Sequence, residues 1–317
     1  MKGILPYQLG LVTNGGHGIK QSLMSSPAKA QFIAQFIGQF KGWTIPGPPV
    51  PAGRSGEVDL EPGEGETLDA LSGHFKIFQL KKGHRFSTDD LLVAAYATQW
   101  APTAQRALDL GSGLGTVAMV TAWRLPGARF VTIEAQEESL RLARKSVAYN
   151  GLEDRFELRQ GDFREPGVLQ PDEKFDLITG SPPYFPPGSG VLGDHPQKIA
   201  CRFEMRGSVA DYCEVASRHL SPGGWFACVF PVNPPEQEQR VVDAAQAHGL
   251  TIVRKRHVAL KEGEPPLLGV FAMVRSEDLP EAWRARTWSE PVLIVRARDG
   301  QVHPEYVAWK LSIGFPP

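Results

Sequence analysis

Cysteine is scarce in this 317-residue chain, and Cys201, Cys213 and Cys228 form no C-x-x-C pair, which argues against a disulfide framework and a thiolate metal site. A reducing compartment, the cytoplasm, is the expectation. The eight histidines are scattered, without an H-x-x-x-H pair or a cysteine at ligand spacing, so no metal site is expected. No uninterrupted apolar run approaches the roughly 20 residues that span a bilayer, so no membrane partner is expected. A surplus of one charge is missing too: 34 Lys and Arg stand against 35 Asp and Glu, a net charge of -1. Nothing global advertises a polyanionic partner. Yet acidic residues are absent before Glu57, so residues 1–56 carry +5 (Lys2, Lys20, Lys29, Lys41, Arg54) and residues 57–317 carry 29 minus 35, or -6. The 42% hydrophobic and 22% charged residues suit a globular protein and exclude a wholly disordered, collagen-like or coiled-coil chain.

The length fits one large domain with an appendage or two modest domains. Pro and Gly fill 10 of the 22 positions from Ile45 to Glu66, which sustains neither a helix nor a central strand and predicts a linker. The expected boundaries are a basic N-terminal extension with its linker over 1–66 and the main domain over 67–317. Upstream, Ser26 as cap, Pro27 at the first helical position, and Phe32, Ile33, Phe36, Ile37 and Phe40 on one face predict an amphipathic helix. It would dock on the main domain, reach RNA or membrane as an arm, or belong to a targeting segment. From Thr67 onward, strand candidates Ala107–Leu110, Phe130–Glu134, Phe156–Arg159, Phe175–Thr179 and Trp225–Phe230 alternate with helix candidates Thr116–Trp123, Glu137–Tyr149 and Val209–His219. That is the pattern of an α/β, Rossmann-like parallel sheet with helices on both faces. Thr251–Leu260 and Leu267–Val274, separated by the turn-rich Lys261–Pro266, predict an antiparallel C-terminal pair.

Asp109-Leu110-Gly111-Ser112-Gly113-Leu114-Gly115 runs from a strand into a helix through closely spaced glycines, which let backbone approach a ligand. Glu134, 21 residues after Gly113, closes the second strand, where a carboxylate can accept both hydroxyls of a ribose. Asp162, after the third strand, can accept an adenine amine. A nicotinamide enzyme would share the loop and Glu134, but Asp109 would repel a pyrophosphate and suits a ligand bearing ammonium and sulfonium groups. The plainer reading is that Asp109 and Glu134 cap backbone.

Strand Phe175–Thr179 leads into Ser181-Pro182-Pro183-Tyr184. Two prolines donate no N–H and hold the chain extended, so their carbonyls can face a cleft. An arylamine nitrogen is a poor nucleophile because its lone pair is delocalised into the ring. Acceptors for its two N–H groups, the Ser181 hydroxyl and Pro182 carbonyl, favour the pyramidal geometry that aims the lone pair at an electrophile. Tyr184 offers a face for an extruded base, a stacking arrangement worth roughly 1–3 kcal/mol. Pro-Pro-Tyr alone is also compatible with an ordinary turn or a proline-rich ligand.

The D-x-G-x-G-x-G run resembles motif I of the class I S-adenosylmethionine (AdoMet) methyltransferases. Ser-Pro-Pro-Tyr, 68 residues after Gly113, resembles motif IV of amino-group methyltransferases acting on adenine, cytosine or glutamine. Over about residues 67–310 the chain is most similar to the bacterial tRNA(Val) adenine-N6 methyltransferases. The segment Phe75–Leu80 with Gly83–Leu92 looks like the family's short hairpin and Thr-Asp helix start, Ile199–Glu204 like its A-R-[H/Y]-E segment, and Pro291–Val295 like its terminal strand. The resemblance implies a seven-stranded, mostly parallel methyltransferase sheet, AdoMet as cofactor and RNA, tRNA above all, as partner. It implies AdoMet binding by Thr88, Asp89, Asp109, Gly111, Gly113, Glu134, Asp162 and Phe163, and a target amine held by Ser181, Pro182, Pro183 and Tyr184. Thr88 as cap with Asp89 in the first turn also reads as an ordinary helix start. Family members commonly carry Asn at the place of Ser181, and serine is more familiar in cytosine-N4 enzymes. Protein-glutamine N5 methylation is the alternative activity; a non-catalytic RNA-binding or assembly module is the alternative from another class. The Gly- and Pro-rich Phe185–Arg206 predicts a mobile lid, in which His195 and Lys198 are solvated or touch phosphate. Arg254-Lys255-Arg256-His257 predicts either an RNA-facing strip or the wet face of a half-exposed strand.

The charge division generates a prediction. Deleting residues 1–56 is expected to lower the slope of log RNA affinity against log salt by about one for each phosphate that the extension neutralises. An unchanged slope shows that the extension does not touch RNA.

Overall fold

A computed structural model of the chain describes residues 39, 40, 42–48, 60–186, 188 and 195–317. The chain forms two compact units, Met1–Ile45 and Pro46–Pro317. In the first, strand β1 (Gln39–Phe40) pairs antiparallel with β2 (Trp43–Thr44), and Gly42 takes φ 81 in the turn between them. Phe40 is therefore in a strand and not in the expected amphipathic helix; the rest of that helix lies outside the described residues.

Among the described residues, the strands and helices of the second unit start with β3 (Glu66–Ala70) and β4 (Lys76–Leu80), an antiparallel hairpin. The partner of Lys76–Leu80 thus precedes it. The chain continues through α1 (Thr88–Trp100), β5 (Arg106–Leu110), α2 (Thr116–Arg124), β6 (Arg129–Glu134), α3 (Glu137–Tyr149), β7 (Phe156–Gln160) and β8 (Phe175–Gly180). After β8 come α4 (Pro196–Arg202), α5 (Val209–His219), β9 (Leu220–Pro231), α6 (Pro235–Ala247), β10 (Leu250–Lys261), β11 (Leu268–Arg275), β12 (Trp288–Arg296) and α7 (Pro304–Ser312). One sheet takes the order β12-β10-β11-β9-β8-β5-β6-β7, eight strands where seven were expected. All neighbours are parallel except at β11, which runs against both β9 and β10. β12 is one of the two edge strands, and Pro291 is tolerated there because only one side of the strand must donate to a neighbour.

Alternate residues of the parallel strands feed two cores, one on each face. Ala107, Phe130 and Leu177 join the face covered by α1, α2 and α7, whereas Leu108, Leu110, Ile133 and Ile178 join the face covered by α5 and α6. Helices α6 and α7 were not expected from the sequence, although each has proline in its first turn. In α6 only Val241, Ala244 and Ala245 are buried, too narrow a stripe to stand out against its charged residues. The run Arg254–His257 lies on β10, between β11 and β12, and is half-exposed except for the buried Arg256. Arg254 stacks on Trp100 and Trp288, Lys255 and His257 pair with Glu238, and Arg256 pairs with Glu305.

The expected linker ends in fixed structure. Glu66 is buried between Arg141 (2.6 Å) and Lys145 (2.8 Å) of α3 and also accepts from the Gly63 amide. Burial pushes its carboxyl up, but the Lys145, Gly63 and Arg141 hydrogen bonds outweigh that and hold it at about 2. Glu66→Ala is expected to lower stability by about 2–3 kcal/mol in urea unfolding at neutral pH, because two cations lose their partner.

Candidate active site

The site forms at the carboxyl edge of β5, β6 and β8. Parallel pairing sets Asp109 of β5 directly against Thr179 of β8, and the Thr179 hydroxyl donates to Asp109 Oδ1 at 2.7 Å. The other oxygen, Asp109 Oδ2, is buried without a hydrogen-bond partner. Such an atom is costly unless a donor or cation meets it. Burial pushes the Asp109 carboxyl up to about 6. The Ser112 hydroxyl of the glycine loop and the Ala118 amide lie near enough to Asp109 to hold that value down, and Ser181 Oγ, after β8, is buried without a hydrogen-bond partner.

Gly111, Gly113 and Gly115 all have positive φ (59°, 57° and 79°), a conformation that L side chains resist. The loop is tied down where the Ser112 amide donates to the Ile133 carbonyl (2.9 Å). The two inner glycines have different neighbours. A Cβ on Gly113 would enter open space, whereas one on Gly111 would lie 2.2 Å from Tyr212 Oη. Tyr212, on α5, also covers Gly180 and packs edge-on to Phe163 at 4.7 Å between ring centres.

Glu134 is buried at the end of β6 and accepts from the Gly113 amide (2.7 Å) and the Gln136 amide (2.6 Å). It therefore caps backbone, as the plainer reading had it, while each oxygen keeps a second lone pair. Burial pushes its carboxyl up, against these two amides. Asp162 is held by Arg164, whose guanidinium reaches both carboxylate oxygens (2.9 and 2.6 Å), and that pairing keeps its pKa low. Phe163 is buried beneath it.

The α1 start differs from expectation in one respect. Its cap is Ser87, not Thr88, because Ser87 and Asp90 form a reciprocal box in which the Ser87 amide donates to Asp90 (2.9 Å). The Thr88 hydroxyl engages Tyr306 of α7. Asp89 accepts a 2.5 Å bond from the Tyr184 hydroxyl. Desolvation pushes the Asp89 carboxyl up and takes Asp90 to about 7, where the charges of Asp89 and Asp109 add to it.

Tyr184 is held from other sides as well. Its ring meets Phe230 of β9 edge-on at 5.6 Å, and Arg240 of α6 donates to its carbonyl (3.4 Å), covers the Phe230 ring and pairs with Glu204. The Tyr184 and Phe185 amides both donate to the Arg202 carbonyl. The expected lid is thus anchored over its described part. Helix α4 is capped by His195, and Gln197 is buried against Ser139 (2.9 Å) and the His84 amide (2.7 Å). Residues 187 and 189–194 lie outside the described residues. Sequence reasoning missed Tyr212, Ser112 and Arg240; Ser112 sits inside the glycine loop, and Glu204, the partner of Arg240, inside the A-R-[H/Y]-E-like segment.

These residues fit AdoMet. A buried, unpartnered carboxylate oxygen suits the cofactor's positive groups, and the open space over Gly113 admits its body. No helix among the described residues is long and apolar enough to cross a membrane.

Residues 103–255 match a family described as a methyltransferase domain. The crystal structure of a predicted O-methyltransferase from Agrobacterium tumefaciens superposes with a TM-score of 0.55 at 20% identity, covering 72% of this chain and 98% of that one. A tRNA1(Val) (adenine(37)-N6)-methyltransferase of Bacteroides thetaiotaomicron is 31% identical over 199 residues, 61% of this chain and 77% of that protein. A protein of the same name from Tolumonas auensis is 29% identical over 249 residues, 75% of this chain and 95% of its own. Fold and sequence together define a class I AdoMet-dependent methyltransferase. Within that class, the chain belongs to the family of the tRNA1(Val) (adenine(37)-N6)-methyltransferases.

The electrostatics give a signed prediction. The Asp109 pKa, about 6, exceeds its unfolded value, so its favourable contribution to folding is complete near pH 4 and lost as pH rises through 6. The ligand-free protein should lose on the order of 2–3 kcal/mol by this route. AdoMet affinity should move oppositely, tightening about tenfold from pH 5 to 7.5 as the carboxylate ionises. Calorimetry on wild type and Asp109→Asn checks both, the variant being expected to show less of each.

Proposed function

We propose that the enzyme transfers the methyl group of AdoMet to the exocyclic N6 amine of an adenine in tRNA. The observation that carries this reading is Ser181 Oγ, buried and without a partner directly after β8, beside the strand that holds the unpartnered Asp109 Oδ2. An amine with two N–H groups supplies what that hydroxyl lacks. The names of the relatives point to a tRNA adenine as the source of the amine.

The cofactor supplies an electrophilic methyl on a sulfonium that leaves readily. In this reading Asp109 faces its positive end, and Glu134 takes the ribose hydroxyls with its remaining lone pairs. Gly111 and Gly113 keep the loop clear of side chains, while Asp162 and Phe163 receive the adenine and Thr88 flanks the methionine end. Ser181 Oγ and the Pro182 carbonyl accept from the target amine and turn its lone pair toward the methyl. Pro183 donates no N–H that would compete for either acceptor. Tyr184 stacks the extruded base. No strong general base is required, since the nitrogen loses its proton easily once methylated. The rate comes from positioning and exclusion of water.

Incubation with methyl-labelled AdoMet and separate tRNA, rRNA, DNA and protein fractions, followed by mass spectrometry, tests the proposal. N6-methyladenosine in tRNA is the expected product. N4-methylcytidine or N5-methylglutamine in its place overturns it.

A further inference from the structure

The bond between Tyr184 and Asp89 joins two parts of the site that the motifs keep separate. Tyr184 belongs to the acceptor side, after β8; Asp89 belongs to the first turn of α1, which the resemblance assigns to the cofactor. In the structure the Asp89 carboxylate is spent on the tyrosine. Its Oδ2 receives the phenol hydrogen at 2.5 Å, across 95 residues of sequence. A bond from a neutral hydroxyl to a carboxylate is among the stronger hydrogen bonds in proteins.

The ring of Tyr184 packs against the cores on both faces of the sheet, contacts that are apolar and without direction. Phe230 touches it edge-on, which permits tilting, and Arg240 and Arg202 engage its backbone. Among the described residues, the bond to Asp89 is the hydrogen bond that holds the phenol oxygen. Asp89 is in turn rigidly presented. It sits one residue before Asp90, whose side chain closes the Ser87 box, so the first turn of α1 cannot fray without breaking that pair.

We infer that Asp89 is a positioning residue for Tyr184, acting through the phenol hydroxyl to set the tilt of the face on which the target base stacks, rather than a ligand of the cofactor. This rests on the base-stacking reading of Tyr184 given above. Losing either end of the bond leaves the ring present but loosely aimed, and a misplacement on the order of 1 Å near the reacting atoms costs on the order of a hundredfold in rate.

A double-mutant cycle decides it. Asp89→Asn, Tyr184→Phe and the double variant are compared with wild type for kcat, for KM of the acceptor and for AdoMet affinity by calorimetry. Each single variant is expected to lose at least tenfold in kcat with AdoMet affinity changed less than about threefold, and the double variant to fall no further than the worse single one. Losses that multiply, an unaffected Tyr184→Phe variant, or AdoMet binding weakened tenfold or more by Asp89→Asn overturn the inference. The rates are measured on whichever acceptor the labelling experiment identifies, so a product other than N6-methyladenosine overturns the proposed acceptor while the cycle remains readable. The same variants are unfolded in urea, a readout that needs no acceptor. The bond predicts that the folding equilibrium constant of the double variant lies within about threefold of the worse single variant, and independent losses overturn it there too.

Discussion

The catalytic edge depends on one pairing, that of β5 with β8 in parallel register, which sets Asp109 against Thr179. The threonine hydroxyl satisfies one carboxylate oxygen, while the other is buried without a hydrogen-bond partner. The same register brings the ends of both strands level, so that the glycine loop begins on one and Ser181 on the other. A slip of a single residue would reverse the faces, carrying Asp109 into the apolar layer that Leu108 and Leu110 share with α5 and α6. Burial raises the Asp109 carboxyl, and the Thr179 hydroxyl leads the groups that hold it down.

Much of this was legible in the sequence because it is local. The helices Glu137–Tyr149 and Val209–His219 agree with their expected bounds, since each has a 3.6-residue stripe and the second also has a capping box of Ser208 and Asp211. The central strands agree to within a residue or two for the same reason, save β9, which starts five residues earlier, and the reversed strand β11 follows from a turn-rich break between two β-branched runs. Long-range facts were not legible. The charges at 254–257 sit on a largely half-exposed strand, as expected, but nothing in their spacing says that they engage Trp100, Trp288, Glu238 and Glu305. Glu134 lies where the spacing put it, yet nothing in the spacing says that its oxygens first serve the amides of Gly113 and Gln136.

The glycine loop shows how one motif answers to two constraints. The freedom at Gly113 serves the space above the loop, whereas that at Gly111 serves the ring of Tyr212 packed against it. Read in sequence, the two are the same kind of residue in the same turn. The aromatic layer of Tyr212 and Phe163 belongs to the fold as much as to the site: it is part of the core between the sheet and α5.

The brace around Tyr184 has a consequence for the order in which the enzyme is made. Its parts come from residues 88–90, 184, 202–204, 230 and 240, so it is closed by interactions of large sequence separation. A nascent chain that has just exposed Ser-Pro-Pro-Tyr already holds Asp89, but its platform has neither Phe230 behind it nor Arg240 beneath it. Those arrive only with β9 and α6, after the ribosome has added 46 and 56 further residues. The glycine loop, its carboxylates and the Thr179 that holds Asp109, drawn from residues 109–179, are all synthesised before these. During synthesis, therefore, the chain carries the residues that face the cofactor before it carries the brace for the acceptor.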